Sequence, residues 1–284
     1  MIAAVCFDLG NTLLAYRDFG LQAYTGRLEK TIRALLEQFR KEGLDARKSD
    51  PGSVAQRVFA RIIPIEMRAR AELSEYDVGI EIRRALGEMF PQVDASWDER
   101  VNAAAWGVMR QEFELRPDAL DTLRALKSSG KKIGLISNSQ FRSADMMDDL
   151  SAKGLDGLLD ATVFSLDERI RKPRREIFLR ALAQLNCQPA HAVMVGDTVE
   201  ADIAGARAAG MKAILIRTPE NLAVFSSELP VPSSEFRVPS SEFQVPSFGS
   251  KAPAGEVQVA KAAPEAPDAV VDNLSEIPAL INGW

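Results

Sequence analysis

Cysteine is nearly absent from this chain. Of its 284 residues only Cys6 and Cys187 carry a thiol, and Cys6 lies inside an apolar run, where it reads as a small buried hydrophobe. No disulfide is expected. Long hydrophobic runs are also missing, and nothing approaches the roughly eighteen apolar residues of a membrane-spanning helix. No block of Lys and Arg stands out, and the formal net charge is −5. Nucleic acid is therefore disfavoured as a main ligand, because gripping a phosphate backbone needs clustered cations. The first residues run straight into a strand-like segment, without a basic leader region or a small-residue cleavage site, so a cytoplasmic protein is expected.

What remains is the composition of an ordinary globular protein, 46% apolar and 26% charged, with enough chain for a sizeable core. Short apolar runs recur at Ile2–Phe7, Lys132–Ile136, Ala161–Phe164, Ala192–Val195, Ala213–Ile216 and Ala269–Val271. Several show little polar alternation, as strands covered on both faces do. Between them lie helical stripes, such as Leu120, Leu123 and Leu126, or Ile177, Phe178, Ala181, Leu182 and Leu185. Strands alternating with such helices predict an α/β fold with a parallel sheet built from right-handed crossovers.

More than a hundred residues separate the first run from the second, and no convincing strand is read there. Leu21, Leu28, Ile32, Leu35, Leu36 and Phe39 recur at helical spacing. Further helical pieces come around 53–72, 76–90 and 97–110, punctuated by Pro51, Pro64 and Pro91. A helical insertion over 15–112 is expected, dividing a core made of 1–14, 113–221 and 268–284. From Ser226 the chain reads SSELPVPSSEFRVPSSEFQVPSFGS, a seven-residue repeat whose regular prolines forbid a continuous helix and disrupt a sheet ladder. Ala and Pro dominate the stretch from Ala252 to Pro267, so 222–267 is expected to be a disordered low-complexity insertion. A partner-binding tail is the alternative.

Four motifs carry chemistry. The first run ends Phe7-Asp8-Leu9-Gly10-Asn11-Thr12, which puts a carboxylate at the carboxyl end of a strand, where open α/β sheets bind ligands. Gly10 and Asn11 tolerate positive φ, so this loop can turn and aim N–H groups at an anion. A plain turn would use the same residues. The second run ends Ser137-Asn138-Ser139, offering a hydroxyl to a phosphate oxygen, although Ser-Asn is also a common helix cap. Lys172 comes after the third run and could neutralise a phosphate beside an attacking carboxylate. The fourth run gives Gly196-Asp197-Thr198-Val199-Glu200-Ala201-Asp202, hard oxygen ligands at a strand end that suit Mg²⁺. Helix capping explains one of these aspartates but not both with this glycine. His191, the only histidine, precedes a strand at its amino end and reads as a surface group away from the site.

In this order the four motifs resemble the haloacid-dehalogenase-like hydrolase superfamily, whose pattern is Asp-x-Asp-x-Thr, then Ser or Thr, then Lys, then Gly-Asp-x4-Asp. The match covers about 1–14, 113–221 and 268–284. The resemblance implies a Rossmann-like core, with the helical insertion as the C1 cap of subfamily I. It implies that Asp8 attacks phosphorus and forms an aspartyl-phosphate that water hydrolyses. Mg²⁺ would be held by Asp8, the Gly10 carbonyl and Asp197, with Asp202 direct or through water. Ser137 and Lys172 would hold the phosphoryl oxygens, helped by N–H groups of the Leu9–Asn11 loop and of Asn138. A small-molecule phosphate would be the partner, and the chain a monomer or homodimer.

The sequence departs from that pattern at Gly10, where family phosphatases carry a second Asp as general acid and base. Such help is typically worth ~10²–10⁴-fold, and its loss weighs most on poor leaving groups. An acid from the cap or from the substrate could substitute. The alternatives are a dehalogenase, which the Asp197–Asp202 pair argues against; a phosphonate hydrolase, which needs a cap lysine and finds only Lys30, Lys41 and Lys48; and a non-catalytic binding protein.

Overall fold

The six apolar runs become one sheet of six parallel strands in a computed structural model that describes residues 1–18, 20–46, 49–155, 157–218 and 266–284. In chain order these are β1 (Ala4–Phe7), β4 (Lys132–Ser137), β5 (Ala161–Phe164), β6 (Ala192–Gly196), β7 (Lys212–Ile216) and β8 (Ala269–Val271). Their spatial order is β5-β4-β1-β6-β7-β8, every neighbour parallel. The expected repeat segment lies outside the described residues, apart from 266 and 267.

All residues of β1 and β6 are buried, which explains their unbroken apolar character. Alternate side chains go to opposite faces. Val5 and Phe7 join Ile133, Leu135, Val193 and Val195 in one cluster, while Ala4 and Cys6 join Ile136, Met194 and Ala213 in another. The first cluster is closed by α5 (Ala119–Ser128), α6 (Ser143–Ala152) and α10 (Ile277–Asn282). The second is closed by α8 (Arg175–Gln184) and α9 (Gly205–Ala208). Because the chain turns from the β4 side of β1 to its β6 side, the crevice between their carboxyl ends is the topological switch point of the sheet.

The interval after β1 does contain strands, contrary to the sequence reading. β2 (Leu14–Tyr16) and β3 (Phe113–Leu115) pair antiparallel, Tyr16 opposite Phe113. At three residues each they are too short to show a period, and their pairing bridges nearly a hundred residues.

Between them run α1 (Gly20–Lys41), α2 (Pro51–Glu72), α3 (Val78–Met89) and α4 (Asp98–Met109). The caps are local: Asp50 accepts from Ser53 N at 2.8 Å with Pro51 in the first turn, and Asp77 accepts from Ile80 N at 3.1 Å. The helical piece read around 53–72 is α2, and Pro64 does not interrupt it. It sits inside α2, where burial of Val58, Ile62 and Ala69 offsets the cost of its missing N–H. The module has its own core, with Phe39 edge-on to Trp97 at 4.8 Å and to Phe90 at 5.4 Å.

Candidate active site

Asp8 is the first residue past β1, and its N–H extends the ladder to Val195 O at 2.9 Å. The chain then doubles back, with Leu13 N and Leu14 N both donating to Leu9 O at 3.0 and 2.8 Å. Asn11 makes this turn possible at φ 59°, a region that asparagine tolerates. Of the two residues read as tolerant of positive φ, Asn11 uses that freedom and Gly10 does not.

Asp197 comes directly after β6, and the next turn is a π-helix over Val199–Ala204 rather than the α-helical start expected from the sequence. The wider turn, common at functional sites, folds Asp202 back over the strand end. Asp202 N donates to Thr198 O at 2.8 Å, and Thr198 N donates to Asp202 Oδ2 at 3.0 Å. Gly196 is required by this packing, because a Cβ there would lie 2.3 Å from Asp202 Cγ.

Lys172 joins the two strand ends. Its buried ammonium donates to Asp8 Oδ1 at 2.5 Å, Asp202 Oδ1 at 2.6 Å and Ile136 O at 2.8 Å, which uses all three protons. Asn138 sets its backbone: Lys172 N donates to Asn138 Oδ1 at 2.8 Å, and Asn138 Nδ2 donates to Lys172 O at 3.1 Å. The Asn138 side chain is thus occupied in holding the lysine loop, and only its backbone N–H is left to face an anion. Ser137 closes β4 as a buried hydroxyl.

Carboxylate oxygens of Asp8, Asp197 and Asp202 lie within 4.8 Å of one another, and all three side chains are buried. One lysine faces three carboxylates here. Burial, opposed by Lys172 and reinforced by Asp202, pushes the Asp8 carboxyl up to about 6. Burial, with Asp8 and Asp202, pushes Asp197 up to about 7. Burial would lower the Lys172 ammonium, but Asp202 and Asp8 outweigh it and hold it raised. Asp8 thus rises despite its ion pair, because losing water and facing like charges costs more than one lysine returns. Three buried carboxylates offering oxygen donors within 4.8 Å of one another fit a divalent hard cation.

Other polar groups lie around this cluster. Tyr16, half-buried on β2, is held above its usual range by burial and by Asp8, against the pull of Arg27. Thr12 Oγ1 and Asn11 Oδ1 are buried without a hydrogen-bond partner beside Asp8. Thr12 was visible as the last residue of the first motif, whereas Tyr16 stands outside every motif. The helical module reaches the site through the α2–α3 loop. Glu75 there accepts at 2.6 Å from Ser165 Oγ, at the start of the short helix α7 (Ser165–Glu168), and faces Arg171 Nη1 at 3.7 Å. Val78 N donates to Gln140 O at 3.2 Å, and Trp106 of α4 packs on Phe141 at 5.2 Å.

Other sequence candidates lie elsewhere. His191 stands at the opposite end of the sheet, exposed, its Nδ1 3.2 Å from Met1 O. Glu200 is exposed. Lys30 forms an exposed pair with Glu112 at 3.4 Å, and Lys48 lies outside the described residues.

Comparison with known proteins extends the similarity along most of the chain. The family of haloacid dehalogenase-like hydrolases matches residues 2–210. A ribulose-1,5-bisphosphate 5-phosphatase of Halopiger xanaduensis is 30% identical over 221 residues, covering 78% of this chain and 87% of that protein. A glyceraldehyde 3-phosphate phosphatase of Methanothermobacter thermautotrophicus is 37% identical over 102 residues, 36% of this chain and 44% of its own. Among solved structures, a 2-haloacid dehalogenase from Pseudomonas syringae shares the fold over the full length of both chains, with a TM-score of 0.61 at 21% identity. A haloacid dehalogenase-type phosphatase from Thermococcus onnurineus does so over 99% of both chains, at 0.53 and 19%.

Proposed function

This chain belongs to the haloacid dehalogenase-like hydrolases, and on that premise we propose that it is a phosphatase that hydrolyses small phosphomonoesters through an aspartyl-phosphate on Asp8. The observation that carries this reading is the Lys172 ammonium, buried and bonded at once to Asp8 and Asp202, with Asp197 beside them. A scaffold without chemistry gains nothing from three buried carboxylates around one lysine, since such a cluster is costly to bury. A reaction centre for a dianion gains a nucleophile whose charge is partly offset.

Asp8 is the nucleophile in this reading, its Oδ1 fixed by Lys172 so that the carboxylate cannot rotate away from the incoming phosphorus. Lys172 lowers the repulsion between carboxylate and phosphate. Ser137 donates its hydroxyl to a phosphoryl oxygen, joined by backbone N–H groups of Gly10, Asn11 and Asn138. A divalent cation, Mg²⁺ in our reading, would be held by Asp8, the Gly10 carbonyl and Asp197, and would supply charge neutralisation at the phosphoryl oxygens. Asp202 supports that set from behind, because Lys172 and Thr198 N already occupy its two oxygens. The helices between β2 and β3 act as the cap that excludes water and selects the substrate. The names of the similar proteins point to phosphorylated sugars and trioses as the class to try first.

The test is Asp8→Asn, assayed for phosphate release from a panel of sugar phosphates in the presence of Mg²⁺. Turnover should fall by ~10³-fold or more with an unchanged circular dichroism spectrum. A folded variant that kept a substantial share of wild-type turnover would remove Asp8 from the nucleophile's role.

A further inference from the structure

Position 10 is where the sequence lacks an acid, yet the space beside it is filled. A Cβ built on Gly10 would lie 3.1 Å from Tyr16 Cε2, 3.2 Å from the Tyr16 hydroxyl oxygen and 3.6 Å from Cζ. The phenol therefore stands against the place where a side chain of residue 10 would begin, its oxygen the nearest polar atom. It is held there from two sides. Tyr16 ends β2 opposite Phe113 of β3, and its ring packs on the Phe113 ring at 4.6 Å and 54°. On the other side, a bridge between Gly10 and Leu14 ties the start of β2 to the nucleophile loop. A side chain at position 10 would crowd the Tyr16 ring, which would have to give by a few tenths of an ångström to admit it.

We propose that the Tyr16 hydroxyl is the proton donor for the leaving group, in place of the acid absent at Gly10. This rests on the reading of Asp8 as the nucleophile. As an Asp8 oxygen bonds to phosphorus and the phosphorus–oxygen ester bond breaks, the departing alkoxide takes the phenol proton and leaves as an alcohol, with Tyr16 a phenolate. A water molecule then gives its proton to that phenolate while its oxygen bonds to phosphorus. The Asp8–phosphorus bond breaks, inorganic phosphate departs, and both side chains are restored. Atoms and charges balance without any further reactant. A tyrosine in this role also accounts for a glycine two residues past the nucleophile: any larger residue would press on the ring that carries the proton.

The experiment compares leaving groups. Tyr16→Phe keeps the ring on Phe113 and removes only the oxygen. With Mg²⁺ present, its kcat/KM on ribose 5-phosphate should fall ~10²-fold or more, while that on p-nitrophenyl phosphate, whose leaving group needs no proton, should change by less than about threefold. Equal losses on both substrates would mark Tyr16 as structural, and no loss on either would mark it as idle; both overturn the proposal. Wild-type protein inert on both would instead overturn the Asp8 reading, and the proposal with it. A second arm guards against misfolding of the single variant. Gly10→Asp combined with Tyr16→Ala clears the ring and supplies a carboxyl, and should regain at least ~10-fold on ribose 5-phosphate over Tyr16→Ala alone. No gain counts against a missing proton donor.

Discussion

At Gly196 the backbone has no room for a methyl group. The Cβ of an alanine would stand 2.3 Å from Asp202 Cγ and 2.4 Å from its Oδ2. Asp202 would have to swing away, giving up both the Thr198 N–H and the Lys172 ammonium. Gly196→Ala should therefore cost ~1–3 kcal/mol in urea unfolding, as overpacked sites do, and reduce turnover with it. Unchanged stability would mean that Asp202 can move without consequence. The same residue shows what the sequence makes legible. Asp8, Ser137, Lys172, Asp197 and Asp202 are legible as four motifs taken in order, rather than one by one, since a turn, a helix cap or a solvated lysine would use the same residues. The structure brings Asp8, Lys172, Asp197 and Asp202 together, with Ser137 buried at the end of the neighbouring strand β4. Tyr16 and the side-chain role of Asn138 do not stand out, because their meaning lies in what they touch. Nothing local says that a tyrosine six residues past a glycine folds back onto it, or that an asparagine clamps a loop thirty-four residues away.

Among elements, the α2–α3 loop does more than join two helices. Glu75 is sealed between Ser165 and Arg171, and burial pushes its carboxyl up even though Arg171 and Ser165 oppose the shift. This one side chain ties the helical module to the segment that carries Lys172. Glu75→Ala should leave the Arg171 charge without a counter-ion and destabilise by ~3–5 kcal/mol, while Glu75→Gln, which can still accept from Ser165, should cost less. Equal stability of wild type and Glu75→Ala in chemical denaturation would show that the loop carries no such tie. Elements were legible in proportion to length and burial. The six sheet strands are read from short runs rich in Val and Ile; β1 and β6 lack alternation because both faces are covered, whereas Val270 of the edge strand β8 is exposed. The helices are read from their apolar stripes. β2 and β3 were invisible because three residues carry no period and because only pairing across the module defines them. The helix read around 53–72 runs through Pro64: that residue's local preference is to break a helix, and packing of α2 against the rest of the module outweighs it.

For the molecule as a whole, the buried site sets how stability depends on pH. Native Asp8 and Asp197 hold their protons to about 6 and about 7, above the ordinary value of 3.8 that the unfolded chain regains. Between those limits the native state binds more protons than the unfolded one, so stability declines as pH rises through that window and is lowest above it. A divalent ion competes with those protons for the same oxygens, so it should bind weakly where Asp8 and Asp197 are protonated and firmly where both are ionised. Saturating Mg²⁺ at pH 8 should raise the melting temperature over the EDTA-treated protein by ~5–10 °C, from roughly 2.7 kcal/mol at a hundredfold excess over Kd. At pH 5 the rise should nearly vanish. Asp197→Asn removes one charge that burial penalises, so without metal at pH 8 it should melt above wild type while gaining little from Mg²⁺. Differential scanning fluorimetry across pH 5–8 measures all of this. A metal-induced rise of equal size at both ends of that range, or one that survives Asp197→Asn, would mean that the cation binds somewhere other than between the ends of β1 and β6.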